Sequence, residues 1–254
     1  MNIHVITYVY GLAETTMRCF ESVNAPNVTW HCFMHSDNDE AVAACEALDQ
    51  HDNVIVYPYG TNRGLAASCN EGIINAQSLG ADVVMQVCDD IIAGAGDIQR
   101  LAHTVMANPS CSFVSGRTYV EKVHRWEAGS FDVCAINLRA VDSIGYFDRN
   151  CWPVNFEDVD WKRRAVLAGF APLLLGDTTF THCYVLSGYE DAGRMQRFYA
   201  TRDYYCAKWG GDQNEERYDV PFNDARYDLR IARENIDNPY PEYARAEVIN
   251  AVSR

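Results

Sequence analysis

The chain lacks any run of about 18 uncharged apolar residues, the length a bilayer-crossing helix needs, so no membrane span is expected. Its first residues, MNIHVITYVYG, carry no basic segment and no small-residue cleavage pattern, and the expected location is the cytoplasm. No CxxC or other close pair occurs among the ten cysteines, which argues against the common zinc and dithiol motifs. Cys32, Cys88, Cys111 and Cys134 sit among apolar neighbours and are expected to act as small, reduced core residues. The sequon Asn27-Val28-Thr29 carries little weight without an export signal. Positive charge is also scarce: 21 Lys and Arg against 35 Asp and Glu give a net charge of −14, which disfavours duplex nucleic acid as a partner. The one compact basic cluster, Lys162-Arg163-Arg164, is expected on the solvated face of a helix. Absent motifs narrow the field further. There is no G-x-S-x-G elbow, no G-x-G-x-x-G and no P-loop, so serine-hydrolase, dinucleotide and P-loop chemistry are set aside.

What is present is an ordinary globular composition, 254 residues with 48% hydrophobic content, enough for one large domain or two closely joined halves. The first half alternates: strands at 3–9, 28–35, 53–59 and 82–88, helices at 14–23, 39–50 and 64–80. Such alternation predicts βαβ units and a mostly parallel sheet. The second half changes to short strands (CSFVSGRTYV, FDVCAINL, and FAPLLLG at 170–176) and a helix after FEDVD. Beyond Gly210-Gly211, YDLRIARENI is expected as a helix and NPYPEY as a turn.

In open sheets of this kind ligands bind beyond the carboxyl ends of the strands. Thr7-Tyr8, the stretch from His35 to Asp37, and Asp89-Asp90 all fall there. The acid pair is the sharpest of these, because a buried unpaired carboxylate is costly, and hard divalent cations choose carboxylate oxygens while keeping positions for water and phosphate. Asn62-Arg63-Gly64 opens a helix slimmed by Ala66, Ala67 and Ser68. That turn either approaches a diphosphate with unpaired N–H groups or simply packs closely on a sheet. Glu157, Asp158 and Asp160 open another helix. Asp160 is expected to pair with Arg163 or Arg164, whereas Glu157 and Asp158 could face a cleft and accept a proton. His182, placed after an apolar stretch and a short loop, is either a structural histidine or, with Asp90, half of a nitrogen and oxygen site that suits Mn2+ better than Mg2+.

The order of these pieces resembles a family 2 glycosyltransferase of the GT-A fold, from about residue 3 to residue 210. The matching stretches are VITYVYG, NRGLAASCNEGI, VCDDI, IGYFDRNCWPVNFEDVDWKRRAVLAGF, THCYVLS and AKWGG. The resemblance implies an α/β fold with a mixed, mostly parallel sheet flanked by helices. It also implies a donor half at 1–115, an acceptor and catalytic half at 116–211, and a tail at 212–254. The implied chemistry is inverting transfer from a nucleotide-diphosphate sugar, a uridine donor, to a hydroxyl of a glycan or other acceptor. Asp90 and His182 are implied as metal ligands, and Asp158 as the base with Glu157 beside it. Thr7, Tyr8, His35, Asp37, Asn62, Arg63, Gly64, Asn70 and Asp89 are implied around the donor. Trp126, Trp152 and Trp209 lie in the acceptor half and either stack on sugar rings or fill the core. Two departures stand out: Cys88 replaces the first acid of the metal motif, and His35 stands where an acid reads the base, with Asp37 as the substitute. A degenerate module that binds nucleotide sugar or glycan without turnover is the competing reading. Nucleotidyl transfer would want a Gly-rich basic loop after the first strand, which TYVYGLAETT does not supply. An oligomer is compatible with the sequence.

Overall fold

In the computed structural model of the protein, the described residues are 1–128, 131–183 and 193–240. They gather into two compact units, the first from 1–62, 71–128, 131–139 and 171–183, the second from 63–70, 140–170 and 193–240. In chain order the elements begin β1 (Ile3–Val9), α1 (Ala13–Val23), β2 (Val28–Met34), α2 (Asp39–Leu48), β3 (Val54–Tyr57), α3 (Leu65–Ser78) and β4 (Val83–Val87). There follow β5 (Ile91–Ile92), α4 (Asp97–Ala107), β6 (Cys111–Val120), β7 (Arg125–Ala128), β8 (Val133–Ile136) and α5 (Leu138–Ile144). The last are α6 (Glu157–Leu167), β9 (Ala171–His182) and α7 (Arg194–Trp209).

The first unit carries the whole sheet, in the order β3-β2-β1-β4-β8-β6-β9-β5, with β7 hairpinned onto β6. Strands β3, β2, β1 and β4 are all parallel, as the alternation requires. Beyond β4 the sheet is mixed, with β8 antiparallel to both β4 and β6, and β9 parallel to β6. All seven residues of β1 are buried, the mark of a strand covered on both faces. Ile3, Val5 and Val9 join Phe20, Ala44, Leu48 and Leu101 in one apolar cluster. On the other face α3 comes so close that a Cβ at Gly72 would lie 2.7 Å from the Ile6 side chain.

A polar thread crosses this second face. The Asn2 amide donates to His4 Nε2 (3.0 Å), so His4 Nδ1–H donates to His31 Nε2 (2.8 Å) and His31 Nδ1–H to the Tyr57 hydroxyl (2.9 Å). Burial lowers the His4 pKa, and burial together with the nearby His4 lowers that of His31 to about 4. Both rings are therefore neutral, and the thread has one consistent direction.

The second unit is built on α6 and α7. Lys208 Nζ lies 2.8 Å from Asp148 and also contacts Asp160. Asp160 in turn accepts from Arg164 Nε (2.8 Å) and Trp209 Nε1 (2.9 Å). All five side chains are fully buried. Arg164 further donates to the carbonyls of Ile144 and Tyr146. This corrects the expectation of a solvated basic face: Arg164 is inside because two carboxylates and two cations balance there. Burial alone would raise the Asp160 pKa, but Lys208 and Arg164 outweigh it and hold the carboxyl below its usual range.

Two other local expectations differ. The strand expected at 170–176 runs on to His182, so no loop precedes that histidine. YDLRIARENI is not a helix: the Asp224 and Asp228 side chains capture the N–H groups of Arg226 and Arg230, and Ile231 bridges to Gly145. Such local bonds compete with helical ones, and only a single 3-10 turn, Arg233–Asn235, forms. Residues 184–187 of THCYVLS and 241–243 of NPYPEY lie outside the described residues, as does the tail from 241 onward. Among the described residues no helix is long and apolar enough to cross a membrane.

Candidate functional site

The acid pair occupies the turn between β4 and β5. Strand β4 ends at Val87; the Cys88 N–H then bonds the Asp132 carbonyl (2.8 Å) and the Ile91 N–H returns to the Cys88 carbonyl (3.2 Å). Ile91 pairs with His182 in the β5–β9 ladder, and the Cys183 N–H bonds the Asp90 carbonyl (2.9 Å). That register sets His182 Nε2 at 3.0 Å from Asp90 Oδ2, while its Nδ1 lies 3.5 Å from Asp132 Oδ2. Burial would lower the His182 pKa; the hydrogen bond and charge of Asp90, helped by Asp132 and Glu127, outweigh it and raise it. Asp89 accepts from Thr16 Oγ1 (3.3 Å) and from the Tyr10 backbone N–H. Burial and the neighbouring Asp90 charge push its pKa up to about 8. Burial and the charges of Asp132, Asp90 and Asp89 hold the Cys88 thiol well above its usual range.

The donor set suits a divalent cation. Two donors each about 2.1 Å from one ion and at right angles to each other are separated by about 3.0 Å, the distance between Asp90 Oδ2 and His182 Nε2. Among the described residues no group of three or more His, Cys, Asp and Glu side chains is gathered to hold a metal on its own. An ion held by this pair would need its other ligands from water and substrate oxygens.

The neighbouring strand ends carry the other candidates of this unit. Tyr8 and His35 are buried with ring centroids 5.6 Å apart. The Thr7 hydroxyl is buried and finds no hydrogen-bond partner among the described residues. Asp37 is exposed, and Asn62 is half-buried. Trp126 does not belong with the Asp90–His182 cluster. Val120 pairs with His182 and Tyr119 with Trp126, so alternation along β6 sends the indole to the opposite face of the sheet from the imidazole.

In the second unit, the structure brings together two residues that the sequence kept apart. The Leu65 N–H bonds the Pro153 carbonyl (2.8 Å), and a Cβ at Gly64, whose φ is +87°, would lie 2.7 Å from Trp152 Cδ1. Trp152 remains 52% exposed, and Arg63 beside it is half-buried. Two donor and acceptor assignments are corrected. Asn70 is buried with its amide spent on both backbone groups of Phe147 (2.8 and 2.9 Å), and Trp209 is a core residue bonded to Asp160. Asp158 is half-buried and Glu157 buried in the first turn of α6. They follow two non-glycine residues in the left-handed region, Asn155 (φ 80°) and Phe156 (φ 67°), a conformation that costs of order 1 kcal/mol or more at each. Phe156 is held there by Phe198 and Tyr205, at centroid distances of 5.6 and 5.3 Å.

Sequence reasoning missed Thr16, Asp132 and Glu127. None lies in a motif, and each reaches the acid and histidine cluster only through strand pairing or helix packing. Asp160 pairs with Arg164, one of the two partners expected.

Neither a family model nor a curated protein sequence matches the chain. Solved structures do. GalNAc-T7 with UDP, GalNAc and Mn2+ superposes with a TM-score of 0.63 at 14% identity, over 100% of this chain and 57% of that one. TarS 1–349 of S. aureus with UDP-GlcNAc gives 0.59 at 14%, over 80% and 65%. The mannosyltransferase PcManGT of Pyrobaculum calidifontis, with GDP-Man and Mn2+, gives 0.58 at 16%, over 74% and 58%. The likeness shows a shared fold, the GT-A arrangement of a mixed sheet flanked by helices. The chain spans about three fifths of the length of these neighbours.

Proposed function

We propose that the protein is a cytoplasmic, inverting glycosyltransferase of family 2 that moves a sugar from a UDP-sugar to an acceptor hydroxyl. The observation that carries this reading is the Asp90–His182 pair at the carboxyl end of β4, with Asp89 beside it, in a GT-A fold. Structural neighbours solved with nucleotide sugars and Mn2+ support it. Asp90 and His182 would hold the ion. A bound Mn2+ would supply Lewis-acid neutralisation of the diphosphate as it leaves.

The chain's own residues do the rest. Asp89, kept in place by Thr16, accepts from a ribose hydroxyl, and Tyr8 and His35 with Thr7 and Asp37 border the base. The turn at Arg63-Gly64 borders the donor, and Trp152 against Gly64 offers a ring face to a sugar. Asp158 takes the proton of the acceptor hydroxyl as that oxygen attacks, with Glu157 packed beside it. A single displacement with one base inverts the anomeric centre.

The test is release of UDP from a panel of UDP-sugars in Mn2+, preceded by a thermal-shift screen, since a bound donor raises apparent stability with its concentration. Asp158→Asn is expected to abolish transfer while donor binding persists, and Asp90→Ala to remove Mn2+-dependent donor binding. An Asp158→Asn protein that keeps most of its activity rules out the assigned base. Cys88, standing where the metal motif's first acid is expected, motivates a second reading, a module that holds a nucleotide sugar without turning it over. Donor-dependent stabilisation with no UDP release under any condition would select that reading.

A further inference from the structure

We propose that the outward face of the β6–β7 hairpin is a second carbohydrate-docking surface, separate from the Asp90–His182 cluster, and that it holds a glycan bearing uronic acid. The inference does not depend on sugar transfer. It rests on which side of the sheet each hairpin residue occupies. Thr118 and Val120 are buried, and their partners on β9, Phe180 and His182, lie on that same inner side. Arg117 and Tyr119 alternate outward, and Trp126, opposite Tyr119 in the ladder, joins them. On the inner side Arg125 bonds Glu127 (2.8 Å), the register partner of Thr118.

The outward residues form a braced platform. The Arg117 guanidinium lies 4.5 Å from the centre of the Trp126 ring, and the Tyr119 ring is 5.4 Å away and tilted by 58°. Tyr119 is pinned through its hydroxyl, 3.2 Å from Nδ1 of His124 in the hairpin turn. The indole nevertheless keeps 45% of its surface open. The guanidinium covers one face of the indole, so a pyranose would lay its apolar C–H face on the other, and little side-chain entropy remains to be lost on binding.

Charge selects the kind of sugar. Arg100 holds Asp97 and Asp177, and Arg125 holds Glu127, but the Arg117 guanidinium has the indole and, among the described residues, no carboxylate. Its N–H edge is a planar fork that matches a planar carboxylate in two parallel bonds. In a chain of net charge −14 an unneutralised cation beside an aromatic plane complements a ring with one carboxylate, whereas a densely charged phosphate polymer meets the repulsion of the whole molecule.

The experiment is calorimetric titration of the full chain with trigalacturonate, without divalent cations, beside a neutral galactose trisaccharide and an oligothymidylate. The expected result is binding of trigalacturonate at least tenfold tighter than of either control. Trp126→Ala and Arg117→Gln should each weaken it tenfold or more while the urea midpoint and the stabilisation by UDP-sugar stay put. Trp126→Phe should retain part of the affinity. No binding of trigalacturonate, equal binding of the neutral sugar or the oligonucleotide, or full affinity in both platform variants would overturn the proposal. Because UDP-sugar stabilisation is read separately, a failed transferase assay and a failed docking assay remain distinct results.

Discussion

Replacing Lys208 with methionine keeps most of the volume of a fully buried side chain and deletes its charge. In the native unit Lys208 and Arg164 offset Asp148 and Asp160, all four at 0% exposure. The methionine variant keeps Arg164 and Trp209 on Asp160, and Tyr204 (2.7 Å) and the Asn150 N–H (2.9 Å) on Asp148, but leaves one negative charge unbalanced in the interior. Breaking a buried pair in this way costs about 3–5 kcal/mol, or roughly 6–20 °C in Tm for a chain of this size. The same physics fixes the pH dependence. With the ammonium gone, the folded carboxyls hold protons more tightly than the unfolded chain does, so stability falls as pH rises through and above the unfolded aspartate value near 4. The defect of Lys208→Met is therefore smaller at pH 4.5 than at pH 8, and Asp148→Asn in the same background restores part of it. Urea titrations of the full chain at the two pH values measure this. A loss under about 1 kcal/mol, or a defect equal at both pH values, would refute the claim that the charges act as a balanced buried set.

Acid should also act through the thread on the sheet. The unfolded His31 takes its proton near 6.5 and the folded one only near 4, so the contribution of this residue is lost as pH falls across that window. The loss between pH 7 and pH 4 is about 3 kcal/mol, and His31→Phe, which can still stack on Tyr57, should flatten that part of the urea-midpoint profile. Gly64→Ala meets both a positive φ and the Trp152 ring; a loss of about 1–3 kcal/mol with a shifted tryptophan emission is expected. An unshifted spectrum would show that the ring does not rest on this glycine. Asn155→Gly should leave stability nearly unchanged, because the strain it relieves is offset by glycine's larger loss of backbone entropy, while Asn155→Val costs about 2 kcal/mol, since a β-branched residue resists φ near 80° more than asparagine does. Equal urea midpoints for the two variants would count against strain at the entry to α6.

The amino-acid order by itself determined the parallel half of the sheet. Strict alternation of apolar strands with small-residue and amphipathic helices leaves little freedom, and β1 through β4 with α1 to α3 lie within a few residues of where periodicity puts them. The same local grammar marked Asp89 and Asp90, because two charges closing a buried strand are conspicuous wherever the chain goes next. Tertiary structure decided what those acids meet. His182 reaches Asp90 across a separation of 92 residues only through the β5–β9 register, and Asp132 and Thr16 arrive by packing that no motif announces. It also decided which tryptophan is which: a type favoured both in cores and on sugar-binding faces reads alike in sequence. Pairing partners sent Trp209 to a buried carboxylate, Trp152 onto a glycine turn and Trp126 to the open side of the sheet. Spacing along a chain reports the period of one element, whereas charge balance and sheet side depend on neighbours that only the folded chain supplies.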